Sequence, residues 1–115
     1  MENRVVITGL GAITPIGNNV KEFWTNAKKG VCGIDEITLF DASDYKVKIA
    51  GEVKNFKAED FIDKKEAKRL DRFTHFALAA TEEAMKDAKL DLKDENVDPN
   101  RAVSYTHLRA HETGA

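Results

Sequence analysis

The period of apolar positions changes several times along the chain, and each change predicts an element. Val5, Val6 and Ile7 are apolar on consecutive positions and lead through Thr8 into Gly9-Leu-Gly11. Consecutive rather than alternate apolar residues predict a strand over Val5–Thr8 that is buried on both faces. Gly9, Gly11 and Gly17, with Thr14-Pro15 among them, predict a glycine-hinged loop after it. Val20, Phe23, Trp24 and Ala27 then recur at i, i+3, i+4 and i+7, the spacing of one helix face, with Asn18 or Asn19 as its cap. Lys28 and Lys29 suit the C-terminal end of that helix, and Gly30 is placed to stop it.

From Val31 to Asp44 no period holds, which predicts irregular chain with Ile34, Ile37, Leu39 and Phe40 as packing anchors. Alternation begins at Tyr45: Val47, Ile49 and Val53 against Lys46, Lys48 and Lys54 predict an extended, half-exposed segment. A second helical block covers Ala58 to Lys89. Asp63 with Glu66 has the spacing of a capping box, and Asp71 is placed to restart the helix. Phe73, Phe76, Ala77, Ala80, Ala84 and Ala88 then form a stripe whose small members predict close packing against a partner element. Leu90–Asn100 reads as a polar linker, and Arg101-Ala102-Val103 as the entry to another strand. Strand, helix, extended segment, helix, strand is the order of an α/β layered fold.

Composition narrows the class. At 115 residues the chain is one domain at most. Hydrophobic content of 42% with 33% charged residues is globular rather than disordered. A formal net charge of −2 argues against a basic nucleic-acid binder. One cysteine forms no internal disulfide, and neither a leader nor a membrane-spanning apolar run is visible. A soluble, cytoplasmic protein is the expectation, without nucleic-acid or membrane partners.

Three segments, RVVITGLGAITPIG (4–17), FDASDYKVKIAGEVKNF (40–56) and KKEAKRLDRFTHFALAATEEAMKDA (64–88), closely resemble, in order, the opening of the β-ketoacyl-acyl carrier protein synthases. Within that family of condensing enzymes the likeness is greatest to the elongating type, synthase II. The resemblance implies a thiolase-like α/β fold, of which this chain is an incomplete N-terminal part of the first half. It also implies an acyltransferase of fatty-acid synthesis that usually works as a homodimer, with no cofactor and no metal. Its chemistry needs a cysteine thiolate and donors for the enolate and oxyanion. The family's nucleophile and its two histidines lie beyond the last matching residue, so no catalytic residue is carried over. The chain by itself is expected to be inactive and to fold poorly.

The resemblance implies a family portion over residues 1–103. Residues 104–115, SYTHLRAHETGA, depart from the pattern and resemble a translated sequencing adaptor joined to a broken gene end. In that case His107 and His111, although spaced i, i+4 as metal ligands can be, carry no biological meaning.

The remaining candidates are weighed one by one. Cys32, in a turn without a nearby base, reads as a small hydrophobe rather than a nucleophile. His75 lies between Phe73 and Phe76 and reads as a packing or surface residue. Gly9-x-Gly11 lacks the third glycine of a dinucleotide site, since Thr14 stands there. It reads as a tight loop that lets backbones approach. Lys64, Lys65, Lys68, Arg69 and Arg72 fall on one broad helix face. An ordinary solvated face would pair them with Glu66 and Asp71. The family resemblance implies instead that Lys65, Lys68 and Arg69 help dock the acidic acyl carrier protein. A short non-catalytic module that binds carrier protein through the same helix is the alternative function, and a nucleotide-binding domain the third.

Overall fold

The computed structural model describes residues 2–103. Its elements run α1 (Val20–Lys28), β1 (Ile34–Glu36), β2 (Ile49–Gly51), α2 (Lys64–Arg69) and α3 (Arg72–Ala88), with 3-10 turns at Ala58–Asp60 and Pro99–Arg101. α1 follows its sequence signals closely. Asn19 has extended backbone, and its side chain accepts the Glu22 N–H at 2.8 Å, so one orphan donor of the first turn is satisfied. At the other end Gly30 takes a left-handed φ of 72° and its N–H donates to the Ala27 carbonyl at 3.1 Å.

The expected strand Val5–Thr8 is not formed. The segment carries no ladder, and Val5 and Ile7 are 91% and 82% exposed. A two-sided strand requires neighbours on both edges and cover on both faces, and none of these is supplied by the described residues. What is paired lies elsewhere. β1 and β2 run antiparallel with Ile34 opposite Gly51, Asp35 opposite Ala50 and Glu36 opposite Ile49. β1 therefore arises inside the stretch expected to be irregular, and Ile34, Leu39 and Phe40 are exposed rather than packed. Its formation is decided by the alternating segment across from it. The Ile37 N–H extends the pairing to the Lys48 carbonyl at 2.9 Å. Beyond the ladder, the Glu52 carboxylate accepts from the Thr38 and Leu39 N–H groups, each at 3.1 Å, and from the Thr38 hydroxyl at 2.9 Å.

The second helical block is two helices, divided where Leu70 turns extended (φ −102°, ψ 146°). Asp63 and Asp71 stand at the two N-caps as expected, but neither side chain makes a capping bond, so the anticipated capping box is absent. α3 ends at Lys89, a non-glycine residue in the left-handed region (φ 55°). The N–H groups of Lys89 and Leu90 return to the Lys86 and Met85 carbonyls.

α3 is the element against which the glycine loop is laid. Its small stripe meets the glycine loop, as its composition suggests. A Cβ on Gly11 would overlap the Ala80 backbone and come within 2.9 Å of the Ala84 nitrogen, and one on Gly9 would come within 2.7 Å of the Ala88 nitrogen. Only residues without side chains let loop and helix approach this closely. Phe76 continues the stripe into an aromatic group with Phe56 (centroids 5.1 Å apart, edge-on), and Phe56 stacks on Phe61. Phe73, the stripe's first member, stays 70% exposed. Among the described residues the buried hydrophobic side chains are Ala42 and Ala79 alone. After α3 the polar linker turns through Asp98, whose carboxylate accepts the Asn100 N–H at 3.0 Å. Arg101 closes a 3-10 turn and Val103 is exposed, so the described part of the expected strand entry, Arg101–Val103, is not in a strand. Residues 104–115, with His107 and His111, lie outside the described residues.

Candidate functional site

The basic strip is built on α2. Lys68 and Arg69 fall in its last turn, where cations complement the helix dipole, and Glu66 falls in its first. Lys65 and Arg69 are four residues apart and Lys65 and Lys68 three, so the three expected docking residues share one face. All three are exposed. Among the described residues the one ion pair is Lys86 with Glu82 at 2.8 Å, so the anticipated local pairing with Glu66 and Asp71 does not occur. The cations of α2 stand unneutralised.

Arg72 does not belong to this strip. The break at Leu70 moves it onto α3, where its guanidinium donates to the Val53 carbonyl at 3.3 Å and lies 4.9 Å over the Phe76 ring. The expectation of five cations on one helix face is thereby corrected to four on α2, with Arg72 engaged in packing. His75 has the packing role expected of it: its Nε2 lies 2.8 Å from the Ala67 carbonyl, and since a carbonyl only accepts, Nε2 carries the proton. This bond ties α2 to α3.

Two carboxylates were not singled out from the sequence. Glu83 accepts the Ala12 N–H at 2.9 Å through one oxygen and the Val20 N–H at 3.0 Å through the other, while Asp87 accepts the Leu10 N–H at 3.0 Å. Val20 is the first residue of α1, so Glu83 caps one helix from the side of another. The pair is spaced i, i+4 beside Ala80 and Ala84, and that spacing next to a small-residue stripe was the available signal. They line one wall of a cleft of roughly 670 Å3, together with Leu10, Phe61 and Ala79.

The thiol is exposed, and the one polar partner of its Sγ among the described residues is the Ile34 carbonyl at 3.7 Å. With no base beside it, Cys32 lacks the arrangement of an activated nucleophile. The described residues include no group of three or more His, Cys, Asp or Glu placed to hold a metal ion, and no helix among them is long and apolar enough to cross a membrane. What this geometry offers is an exposed cationic face on α2.

Its class is settled by comparison. The family model for the β-ketoacyl synthase N-terminal domain matches residues 2–113, and the chain belongs to the β-ketoacyl synthase family. The matched span extends past Val103 into the segment read as a foreign tail. Over 95 residues the chain is 61% identical to 3-oxoacyl-[acyl-carrier-protein] synthase 2 of Staphylococcus aureus strain N315, a match covering 83% of this chain and 23% of that protein. It is 54% identical over 97 residues to the protein of the same name from a Synechocystis strain, covering 84% and 23%. The chain thus spans less than a quarter of the length of these curated relatives. Among solved structures it resembles the ishigamide ketosynthase/chain length factor (TM-score 0.69, 32% identity, 77% of this chain and 22% of that one). It also resembles AntDE:AntF, a type II polyketide ketosynthase in complex with its acyl-carrier protein (TM-score 0.65, 30% identity, 88% and 26%). The fold class is therefore α/β, an N-terminal part of the thiolase-like fold.

Proposed function

We propose that the chain is the N-terminal portion of a chain-elongating 3-oxoacyl-[acyl-carrier-protein] synthase, and that α2 is where it receives the carrier protein. The observation that carries this reading is the 61% identity to a synthase of that name. The complete enzyme takes an acyl group onto a cysteine, decarboxylates malonyl-carrier protein, and joins the two, lengthening the chain by two carbons. The described residues supply none of the thiolate chemistry, so the 115-residue chain alone is inactive. The complete enzyme works in the cytoplasm, as a homodimer and without a cofactor. We assign residues 1–103 to the family domain and 104–115 to a non-native tail, which sequencing of the gene across those codons checks.

The contribution of this portion is recognition. Carrier proteins are acidic, and Lys65, Lys68 and Arg69 present cations that form no ion pair with a carboxylate among the described residues. Such a face raises the encounter rate with an anionic partner and fixes its register more than it adds raw affinity. The structural relative described in complex with its acyl-carrier protein supports a partner of this class. Charge reversal at Lys65→Glu, Lys68→Glu and Arg69→Glu in the complete enzyme is expected to raise KM for carrier-bound substrate about tenfold, with kcat little changed. The effect shrinks as salt is raised. An unchanged KM would overturn the docking assignment.

A further inference from the structure

We propose that Lys54 is a latch that fastens the β1–β2 hairpin to the Thr14–Gly17 turn, with the turn held from both sides by this one residue. The turn is closed on itself by paired bonds between Thr14 and Gly17 (2.8 and 3.3 Å). Beside it, the Lys54 ammonium reaches three backbone carbonyls, those of Pro15 (3.4 Å), Gly33 (3.3 Å) and Glu52 (3.1 Å). An ammonium has three N–H donors and no acceptor, so three carbonyls from three separate segments match its capacity. The same residue's carbonyl accepts the Asn18 side-chain N–H at 2.8 Å. Asn55, next in the chain, has a left-handed φ of 59°.

The surfaces under the latch are shaped to meet. Gly33 precedes β1 and Gly51 ends β2, and both face Pro15. A Cβ at Gly33 would come within 2.7 Å of the Pro15 Cβ and 2.8 Å of the Ile16 Cγ2, and one at Gly51 within 3.1 Å of the Pro15 Cγ. The hairpin therefore offers a flat, side-chain-free patch to a proline ring, a contact with little apolar area of its own. Lys54 adds what that contact lacks: a charge that draws the carbonyls of turn, β1 entry and β2 exit toward one point. The bonds to those carbonyls also engage its exposed nitrogen, which slows its reaction with electrophiles.

Two measurements on the full 115-residue chain test this. In the unmodified chain, brief labelling with an amine-reactive acetyl ester followed by mass spectrometry should acetylate Lys54 about three- to tenfold more slowly than Lys64, Lys65 and Lys68. Bonds to a charged donor at an exposed site are of that size. Equal rates would overturn the latch. In the second, Lys54→Met should speed amide exchange three- to tenfold at Gly17 and Ile37 while leaving Ala80–Met85 unchanged, and Lys54→Arg should restore part of the protection. Exchange unchanged at Gly17 and Ile37, or raised equally along α3, would reduce Lys54 to an ordinary surface lysine.

Discussion

At Gly11 the added Cβ of an alanine would meet the main chain of Ala80, and a main chain cannot rotate away. Overpacking of this kind costs about 1–3 kcal/mol. Gly11→Ala is therefore expected to speed amide exchange across Ala80–Ala88 roughly five- to hundredfold, read by mass spectrometry. Glu52 supports a different prediction. Its carboxyl lies below the ordinary glutamate range, first because the Thr38 hydroxyl donates to it, with the Thr38 and Leu39 N–H groups and the Lys54 charge acting in the same direction. A depressed carboxylate contributes stability that is complete above its ordinary value and is lost as pH falls through the lowered one. Acid titration should leave the Thr38 and Leu39 amide resonances unchanged until the solution is more acidic than the ordinary glutamate value. Glu52→Gln should remove that transition. Asp41 is lowered likewise, by the Ser43 N–H and then its hydroxyl.

Elements differ in how much of them is local, and that difference decided what the sequence revealed. α1 was legible from cap to stop because Asn19, its four apolar positions and Gly30 all act within one or two turns. The restart at Asp71 was legible for the same reason. β1 was not, since three residues of mixed polarity become a strand only through a partner some fifteen positions on. The α2 cations could be read, but not that Arg72 would leave their face, because the extended Leu70 between the helices has no signal of its own. Least legible was Glu83, whose partners lie 63 and 71 positions away. Glu83→Gln preserves its size but gives up one of two acceptors, so either the Ala12 or the Val20 N–H faces a donor. A partly buried bond of this kind is worth about 1 kcal/mol, and exchange at one of those two amides should rise about fivefold. The Thr25 and Asn26 amides further along α1 should change little.

For the whole molecule the telling comparison is between pattern and burial. Val5, Val6, Ile7, Val47 and Phe73 are at least 64% exposed, although their spacing is that of buried positions. Such an excess of exposed apolar side chains leaves little cooperative core. Heating the 115-residue chain should give a broad, shallow transition by circular dichroism, and a sharp one would contradict this. Local units such as the latched hairpin and the α3 seam can still hold separately, since opening free energies vary along a chain. The seam has one more consequence. The atoms that Gly9 and Gly11 meet are chiefly peptide oxygen and nitrogen atoms of α3, which every amino acid carries alike. No second-site change at Ala80, Ala84 or Ala88 can therefore make room for a larger residue in the loop. Suppressor screens starting from either glycine should return only true revertants, or changes that move the helix as a whole.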